Sequence, residues 1–316
     1  MITRTEIERA AGRIAGYVRT TPIISLETGL WNLDADLVLK LEHLQHTGSF
    51  KPRGAFNRIL SHPVPAAGVI AASGGNHGLA VAYVAQQLGY RAEIFVPESC
   101  PPIKVAKLRY YGAAVTITGT VYGDALIASH ARAAETGALV VHAYDQPEVV
   151  AGQGTLGREL AQQVPDLDTV LVAVGGGGLI GGIAAWFGGT VRVIGVEPEY
   201  APSLATALKV GEPVDVEVSG VAVDSLGARR AGNLAFSIAQ QSVERVISVS
   251  DEAIRHAQRV LWNDLRLATE PGGATALSAL TGGYYLPVSG ERVGIIVCGG
   301  NADLALLMEK ADKTIQ

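Results

Sequence analysis

Lys51 has the most distinctive chemical surroundings of any side chain in this sequence. It follows Thr47-Gly48-Ser49-Phe50 and precedes Pro52-Arg53, so small, hydroxyl-bearing and aromatic residues flank it. An aldehyde cofactor requires such an amine, held at the mouth of a site and partly desolvated so that it is neutral and nucleophilic. Taken alone, the segment is also compatible with a lysine that merely opens a surface helix.

Four glycines in a row, Gly175–Gly178, separate an apolar strand-like segment from a helix-like one. Without Cβ atoms, the backbone N–H groups at such a helix start can surround a phosphate or a carboxylate. The same block also fits a dinucleotide fingerprint, Gly176-x-Gly178-x-x-Gly181, with Glu197 at a strand end about 20 residues later. An NAD(P)-dependent oxidoreductase is therefore one alternative, although it gives the lysine no role.

Two further segments carry polar groups directly after apolar runs. They are Ser73-Gly74-Gly75-Asn76-His77-Gly78 and, near the end, Cys298-Gly299-Gly300-Asn301. The first combines an amide with hydroxyl and backbone donors, and the second offers a thiol, which is a weak hydrogen-bond donor when neutral. Each also has a purely structural interpretation, as a glycine-rich turn that opens a helix and as a small buried residue at a strand end.

Apolar, β-branched runs bounded by glycine or proline alternate with helix-like stretches along the chain. Near-continuous apolar strands of this kind are typical of parallel sheets that are covered on both faces. Ser250, followed by Asp251 and Glu252, has the composition of a helix start. The pattern predicts an α/β fold of βα repeats. The predicted strands are 37–41, 68–72, 92–96, 115–118, 139–141, 170–174, 191–196 and 293–297, and the predicted helices include 79–88, 124–135 and 250–261.

The composition argues against several classes of function. Of the 316 residues, 48% are hydrophobic and 17% are charged, which suits a protein with large buried cores. The net charge of -5, without a basic cluster, provides no nucleic-acid surface, and no apolar run approaches membrane-spanning length. The N-terminus is polar and only two cysteines are present, so we expect a cytoplasmic protein with reduced thiols.

Together, the four segments resemble those of the pyridoxal-phosphate enzymes of fold type II, the tryptophan-synthase-β type, and in particular the threonine/serine dehydratases and serine racemase. The resemblance covers nearly the whole chain. It implies a two-lobed fold of open parallel sheets flanked by helices. A large cofactor-binding domain would comprise residues 1–50 and 146–316, and a small domain with the loop for the substrate carboxylate would comprise residues 51–145. The resemblance also implies pyridoxal 5'-phosphate as the cofactor, an amino acid as the substrate, and a homodimer.

The same resemblance implies roles for individual residues. Lys51 would be the Schiff-base lysine, and Phe50 would lie against the pyridine ring. Asn76 would donate to the phenolic oxygen of the cofactor, and Cys298 would face its ring nitrogen. The implied phosphate-binding residues are Gly175, Gly176, Gly177 and Gly178; the implied substrate-binding residues are Ser73, Gly74, Gly75, Asn76 and His77; Glu270 and Gly227 are further candidates.

The reaction implied by the resemblance is β-elimination from β-hydroxy amino acids of the L-threonine or L-serine type, which yields a 2-oxo acid and ammonia. A serine racemase-like activity is the second alternative. In that family a serine at the position of Gly74 is the acid/base on the far face of the cofactor, and glycine has no proton to give. The racemase-like enzymes also bind a divalent cation through a glutamate, an alanine carbonyl and an aspartate. Glu197 and Ala201 match the first two, but Ser203 stands in place of the aspartate, so no metal site is predicted.

Overall fold

The computed structural model describes residues 2–302, which form ten strands and twelve α-helices. The strands are β1 Ile23–Ser25, β2 Ala35–Lys40, β3 Val69–Ala72, β4 Ala92–Val96, β5 Ala114–Ile117, β6 Leu139–Val140, β7 Thr169–Ala173, β8 Arg192–Pro198, β9 Arg245–Val249 and β10 Glu291–Ile296. The helices are α1 Arg4–Ile14, α2 Lys51–Leu60, α3 Asn76–Leu88, α4 Pro102–Tyr110, α5 Tyr122–Thr136, α6 Pro147–Gln163, α7 Gly178–Phe187, α8 Ser203–Val210, α9 Val223–Leu226, α10 Asn233–Ser242, α11 Asp251–Leu265 and α12 Pro271–Thr281.

The strands form two sheets. The larger has the order β1-β2-β10-β7-β8-β9, and the smaller has the order β5-β4-β3-β6. All neighbouring strands are parallel except β1 and β2, which are antiparallel. The predicted α/β fold of parallel sheets flanked by helices is therefore confirmed, with one antiparallel edge strand added.

Burial explains which strands the sequence predicts. All five residues of β7 are buried, as expected for a central strand with helices on both faces. The two strands that were not predicted, β1 and β9, lie at opposite edges of the larger sheet, where partly exposed positions interrupt the apolar run. The helix predicted at Ser250 is also present, because the Ser250 hydroxyl accepts a hydrogen bond from the N–H of Ala253 and caps α11.

The arrangement of the strands agrees with a two-lobed division. The smaller sheet takes all of its strands from residues 69–140, whereas the larger takes its strands from either side of that stretch. We therefore propose the boundaries predicted from the resemblance, residues 51–145 for the small domain and residues 1–50 with 146–316 for the large one. Within residues 2–302, no helix is both long enough and apolar enough to cross a membrane.

Candidate active site

The four predicted segments all follow the carboxyl ends of parallel strands or pair with such a segment. Ser73 follows β3, Gly175 lies two residues after β7, and Cys298 lies two residues after β10. Ligand sites of open α/β sheets form at these ends, because the loops from neighbouring strands converge there. Strand direction thus brings the loops after β7 and β10 together in the larger sheet. The loop after β3, in the smaller sheet, joins them through the hydrogen bonds of Asn76 with Glu270 and Asn301.

Lys51 is joined to the last of these segments by backbone pairing. Ser49 forms a β-bridge with Gly299, and the N–H of Phe50 donates to the carbonyl of Cys298 at 3.2 Å. Helix α2 then begins at Lys51, with a proline in its first turn. The amine and the thiol of Cys298 therefore lie on adjoining backbone segments.

The first turn of α2 is held by Arg53, which the sequence interpretation left without a role. Its buried guanidinium donates from Nε to Glu42 Oε1 at 2.7 Å, and from Nη2 to Glu42 Oε2 at 3.1 Å and Glu159 Oε2 at 2.9 Å. Carboxylates from two separate elements thus bind the planar guanidinium, and this arrangement fixes the orientation of the Arg53 side chain as well as balancing its charge. Lys51 is therefore presented from a rigid helix start.

The amine of Lys51 is largely removed from solvent. Burial lowers the pKa of Lys51 to about 8, although the nearby Cys298 and Glu270 partly offset this. Nζ donates to the carbonyl of Ala143 at 2.8 Å and lies 5.0 Å from the centre of the Phe50 ring. About a tenth of the amine is therefore neutral at pH 7, far more than for a solvated lysine, and a nucleophile requires this neutral form.

The glycine run forms an open cradle of backbone donors at the start of α7. Within residues 2–302, the N–H groups of Gly175–Gly178 donate to no carbonyl or side chain. Gly177 has a φ of 88°, in the left-handed region that favours glycine. The run therefore has the donors and the helix dipole that hold an anion.

Two residues that the sequence interpretation missed support this cradle: Tyr144 packs directly on its glycines, and Asp145 holds the start of α10, whose Ala235 lies next to Gly177. A Cβ at Gly176 would lie 2.4 Å from the ring of Tyr144, and one at Gly178 would lie 2.9 Å from the Tyr144 backbone oxygen. The carboxylate of Asp145 accepts from the N–H groups of Asn233 and Leu234, each at 3.0 Å, and so caps α10. Tyr144 directly follows Ala143, the acceptor for Lys51, so one loop contacts both the amine and the cradle.

A second set of open donors lies at the start of α3. The Ser73 hydroxyl accepts from the N–H of Gly75 at 3.2 Å. The N–H groups of Asn76, His77 and Gly78 have no acceptor in the described part of the chain. The ring of His77 is not available, because its Nε2 is 2.8 Å from the carbonyl of Val141 and burial lowers its pKa to about 3. His77 can therefore offer only its backbone N–H.

Asn76 is held from both ends of its amide. Its Nδ2 donates to Glu270 Oε1 at 2.6 Å, and its Oδ1 accepts from Nδ2 of Asn301 at 2.7 Å. Asn301 in turn donates to the carbonyl of Thr47 at 2.8 Å. Burial raises the pKa of Glu270 to about 7, and the hydrogen bond from Asn76 opposes that change. The amide of Asn76 is thus fixed in orientation next to an acid that can take or give a proton near neutrality.

Cys298 is a neutral thiol in this site. It is 3% exposed, and burial raises its pKa to about 12. Its sulfur lies 3.3 Å from the carbonyl of Gly272, to which the thiol donates. Because its single proton is already donated to Gly272, the thiol offers a neighbouring ring neither a negative charge nor a strong hydrogen-bond donor.

Gly227 and Glu197 both lie in closely packed surroundings. A Cβ at Gly227 would lie 2.4 Å from the carbonyl oxygen of Val223, in the same turn. The residue of this stretch that packs on Gly175 is Leu226. Glu197 is 0% exposed, and its carboxylate accepts from the N–H groups of Leu204 and Ala205. Since a dinucleotide site needs that carboxylate free for a ribose hydroxyl, the structure argues against the oxidoreductase alternative.

Comparisons with known proteins agree with this geometry. The profile of a family described as "Pyridoxal-phosphate dependent enzyme" matches residues 14–299. An L-threonine ammonia-lyase from Geobacter sulfurreducens is 40% identical over 309 residues, covering 96% of this chain and 77% of that protein. The structure of maize serine racemase superimposes with a TM-score of 0.92 at 33% identity, over 99% of this chain and 97% of the other. The structure of a threonine deaminase from T.th. superimposes with a TM-score of 0.89 at 37% identity, over 95% of this chain and 99% of the other.

Proposed function

This chain belongs to the family of pyridoxal-phosphate-dependent enzymes, and we propose that it is an ammonia-lyase acting on β-hydroxy amino acids of the L-threonine or L-serine type. The products would be a 2-oxo acid and ammonia. The observation that supports this most directly is the position of the Lys51 amine, which donates to Ala143, in a site whose two helix starts both present unused N–H donors. One donor set suits a phosphate and the other suits a carboxylate.

The residues of the site fit the cofactor. The cradle at Gly175–Gly178 would hold its phosphate through its unused N–H groups. Glycine is needed at these positions because a side chain there would meet Tyr144, Leu226 or Ala235. Lys51 would bond its aldehyde through Nζ. Asn76 donates one proton of its amide NH₂ group to Glu270, and it would donate the other to the phenolic oxygen of the cofactor. When bound, pyridoxal phosphate serves as an electron sink for the bonds around the α-carbon of an amino acid.

The chain's own residues would then supply orientation and proton transfer. The N–H groups at the start of α3 and the Ser73 hydroxyl would hold the substrate carboxylate. The Nζ of Lys51 would remove the α-proton as a neutral amine, and its lowered pKa matches that task near neutral pH. Cys298 would leave the ring nitrogen without a strong proton donor, which favours loss of the β-hydroxyl over a long-lived carbanion.

Product analysis tests this proposal. Purified protein supplied with pyridoxal phosphate and L-threonine or L-serine is expected to release a 2-oxo acid and ammonia in equal amounts, measured by a coupled dehydrogenase assay. Chiral chromatography of the remaining amino acid is expected to show almost no D-isomer, because Gly74 has no proton to deliver to the far face. Rapid formation of D-serine with little 2-oxo acid would instead make the protein a racemase.

The structure refines how the racemase alternative is tested. A Cβ at Gly74 would lie 2.6 Å from the sulfur of Cys100, so a serine there needs that thiol to move. We therefore expect Gly74→Ser with Cys100→Ala to raise the ratio of D-isomer to 2-oxo acid, with Cys100→Ala alone as the control. An unchanged ratio in the double variant would mean that position 74 does not face the α-carbon.

The lowered pKa of Lys51 predicts how cofactor capture depends on pH. Only the neutral amine attacks an aldehyde, so the rate at which apoprotein takes up pyridoxal phosphate should rise about tenfold per pH unit below pH 8 and level off above it. Stopped-flow absorbance between pH 6 and about 10 measures this rate. A rate that keeps rising through pH 10 would show that Lys51 titrates like a solvated lysine.

A homodimer, a cytoplasmic location and the Schiff base with Lys51 stay predictions from the sequence. Size-exclusion chromatography with light scattering checks the first of these.

A further inference from the structure

The carbonyl of Gly175, at the start of the phosphate cradle, is held by a buried hydroxyl from another element. Ser203, the first residue of α8, is 0% exposed and donates from Oγ to this carbonyl at 2.9 Å. Its distance to Glu197 Oε1 is longer, 3.4 Å, so the single hydroxyl proton is better used on Gly175. Strands β7 and β8 are parallel neighbours, which brings the residues at their carboxyl ends to the same edge.

The start of α8 is itself fixed to strand β8 by Glu197. Oε1 accepts from the N–H of Leu204 at 2.7 Å, and Oε2 accepts from the N–H of Ala205 at 2.9 Å. The first N–H groups of a helix have no acceptor within the helix itself, and a carboxylate at this positive end satisfies them well. A continuous set of hydrogen bonds therefore runs from β8 through Glu197 and α8 to Ser203 and the glycine run.

The same residues occupy the place where the resemblance implies a divalent cation. The carbonyl of Ala201, the second implied ligand, accepts from the N–H of Ser203 at 3.0 Å. Both oxygens of Glu197 already face N–H donors, and Ser203 contributes a hydroxyl in place of the third ligand's negative charge. Among the described residues, no group of three His, Cys, Asp or Glu side chains could hold a metal ion. The donor set does not fit a cation, since a hard cation needs oxygens that are free to coordinate it, and those of Glu197 and Ala201 already accept hydrogen bonds.

We propose that Ser203 is a positioning residue that braces the phosphate cradle, and that this brace of Glu197, α8 and Ser203 takes the structural place of a divalent cation. The enzyme then needs no such cation to hold its cofactor. This inference rests on the proposed function, because it assumes that the glycine run binds the phosphate of pyridoxal phosphate.

Cofactor affinity tests the brace. Ser203→Ala leaves the Gly175 carbonyl without its donor and should raise the Kd of apoprotein for pyridoxal phosphate about tenfold, measured by fluorescence titration. Ser203→Thr keeps the hydroxyl and should restore most of the affinity. Ser129→Ala removes another buried hydroxyl, one that bonds only within its own helix α5, and should leave the Kd unchanged. A Kd for Ser203→Ala equal to that of the wild type would overturn the brace.

The response of the wild-type protein to cations gives a second test that needs no variant. Holoenzyme is treated with EDTA, dialysed and titrated with MgCl2 or CaCl2, while the unfolding midpoint and the cofactor Kd are followed. We expect both to stay constant. A saturable change in either with added cation would overturn the inference. If wild-type apoprotein binds no pyridoxal phosphate at all, the proposed function fails and the brace with it, whereas normal binding by the wild type and by Ser203→Ala overturns the brace alone.

Discussion

Replacement of Lys51 by alanine is expected to lower kcat for 2-oxo acid release by a factor on the order of 10³ or more. The variant loses both the amine that would bond the cofactor and the base that would remove the α-proton. The rest of the site should persist, because the α2 start is fixed by Arg53 and its two carboxylates rather than by Lys51. The measurement is single-turnover and steady-state product formation with L-threonine and L-serine.

Two controls make this result specific. Lys209→Ala removes an exposed lysine from the end of α8 and should leave kcat unchanged. An unchanged far-ultraviolet circular dichroism spectrum and unfolding midpoint would show that Lys51→Ala still folds. Turnover of the alanine variant at a tenth of the wild-type rate or faster would contradict the role of Lys51.

Replacement of Gly176 by alanine should weaken cofactor binding by about 10- to 100-fold. A Cβ there would lie 2.4 Å from the Tyr144 ring, so either the ring or the glycine run must move. Displacement of one N–H donor from a phosphate costs about 1.5–3 kcal/mol, and 1.4 kcal/mol corresponds to a tenfold change in Kd. The Kd of apoprotein for pyridoxal phosphate, by fluorescence titration, measures the effect.

A matched glycine and a double variant separate the causes. A Cβ at Gly123 in α5 would meet nothing within 4 Å, so Gly123→Ala should bind the cofactor as the wild type does. Gly176→Ala combined with Tyr144→Ala removes the steric conflict with the ring, and should regain affinity if the glycine is needed to make room for Tyr144. Wild-type affinity in Gly176→Ala itself would mean that the phosphate lies elsewhere.

The fold was largely predictable because the central strands are continuous apolar runs. β7 and β10 are buried at nearly every position, so their sequences stand out without any knowledge of their partners. Edge strands such as β9 were missed, since only its last residue is buried and the polar Arg245 and Ser248 interrupt the apolar pattern. Lys51 and the glycine run stand out in the sequence because their residue types are unusual at those places, whereas the role of Cys298 is implied only by the resemblance.

The contacts between loops could not be read from the sequence in the same way. Cys100 meets Gly74, and Tyr144 covers Gly176, because loops at the ends of different strands converge. Strand order decides which loops meet, and spacing along the chain does not encode strand order. The environment of Glu270 was equally hidden, since the burial that raises its pKa comes from packing against distant segments such as Gly299. A Ser203 in place of an aspartate was visible in the sequence, but its bond to Gly175 was not.

The absorption spectrum of the purified protein, before and after borohydride, followed by peptide mapping, tests the central claim most directly. We predict a visible band that borohydride removes, with the mass of the reduced cofactor then fixed on the peptide containing Lys51. Absence of such a band after addition of pyridoxal phosphate, or a label on any other lysine, would contradict the assignment of Lys51 and with it the proposed site.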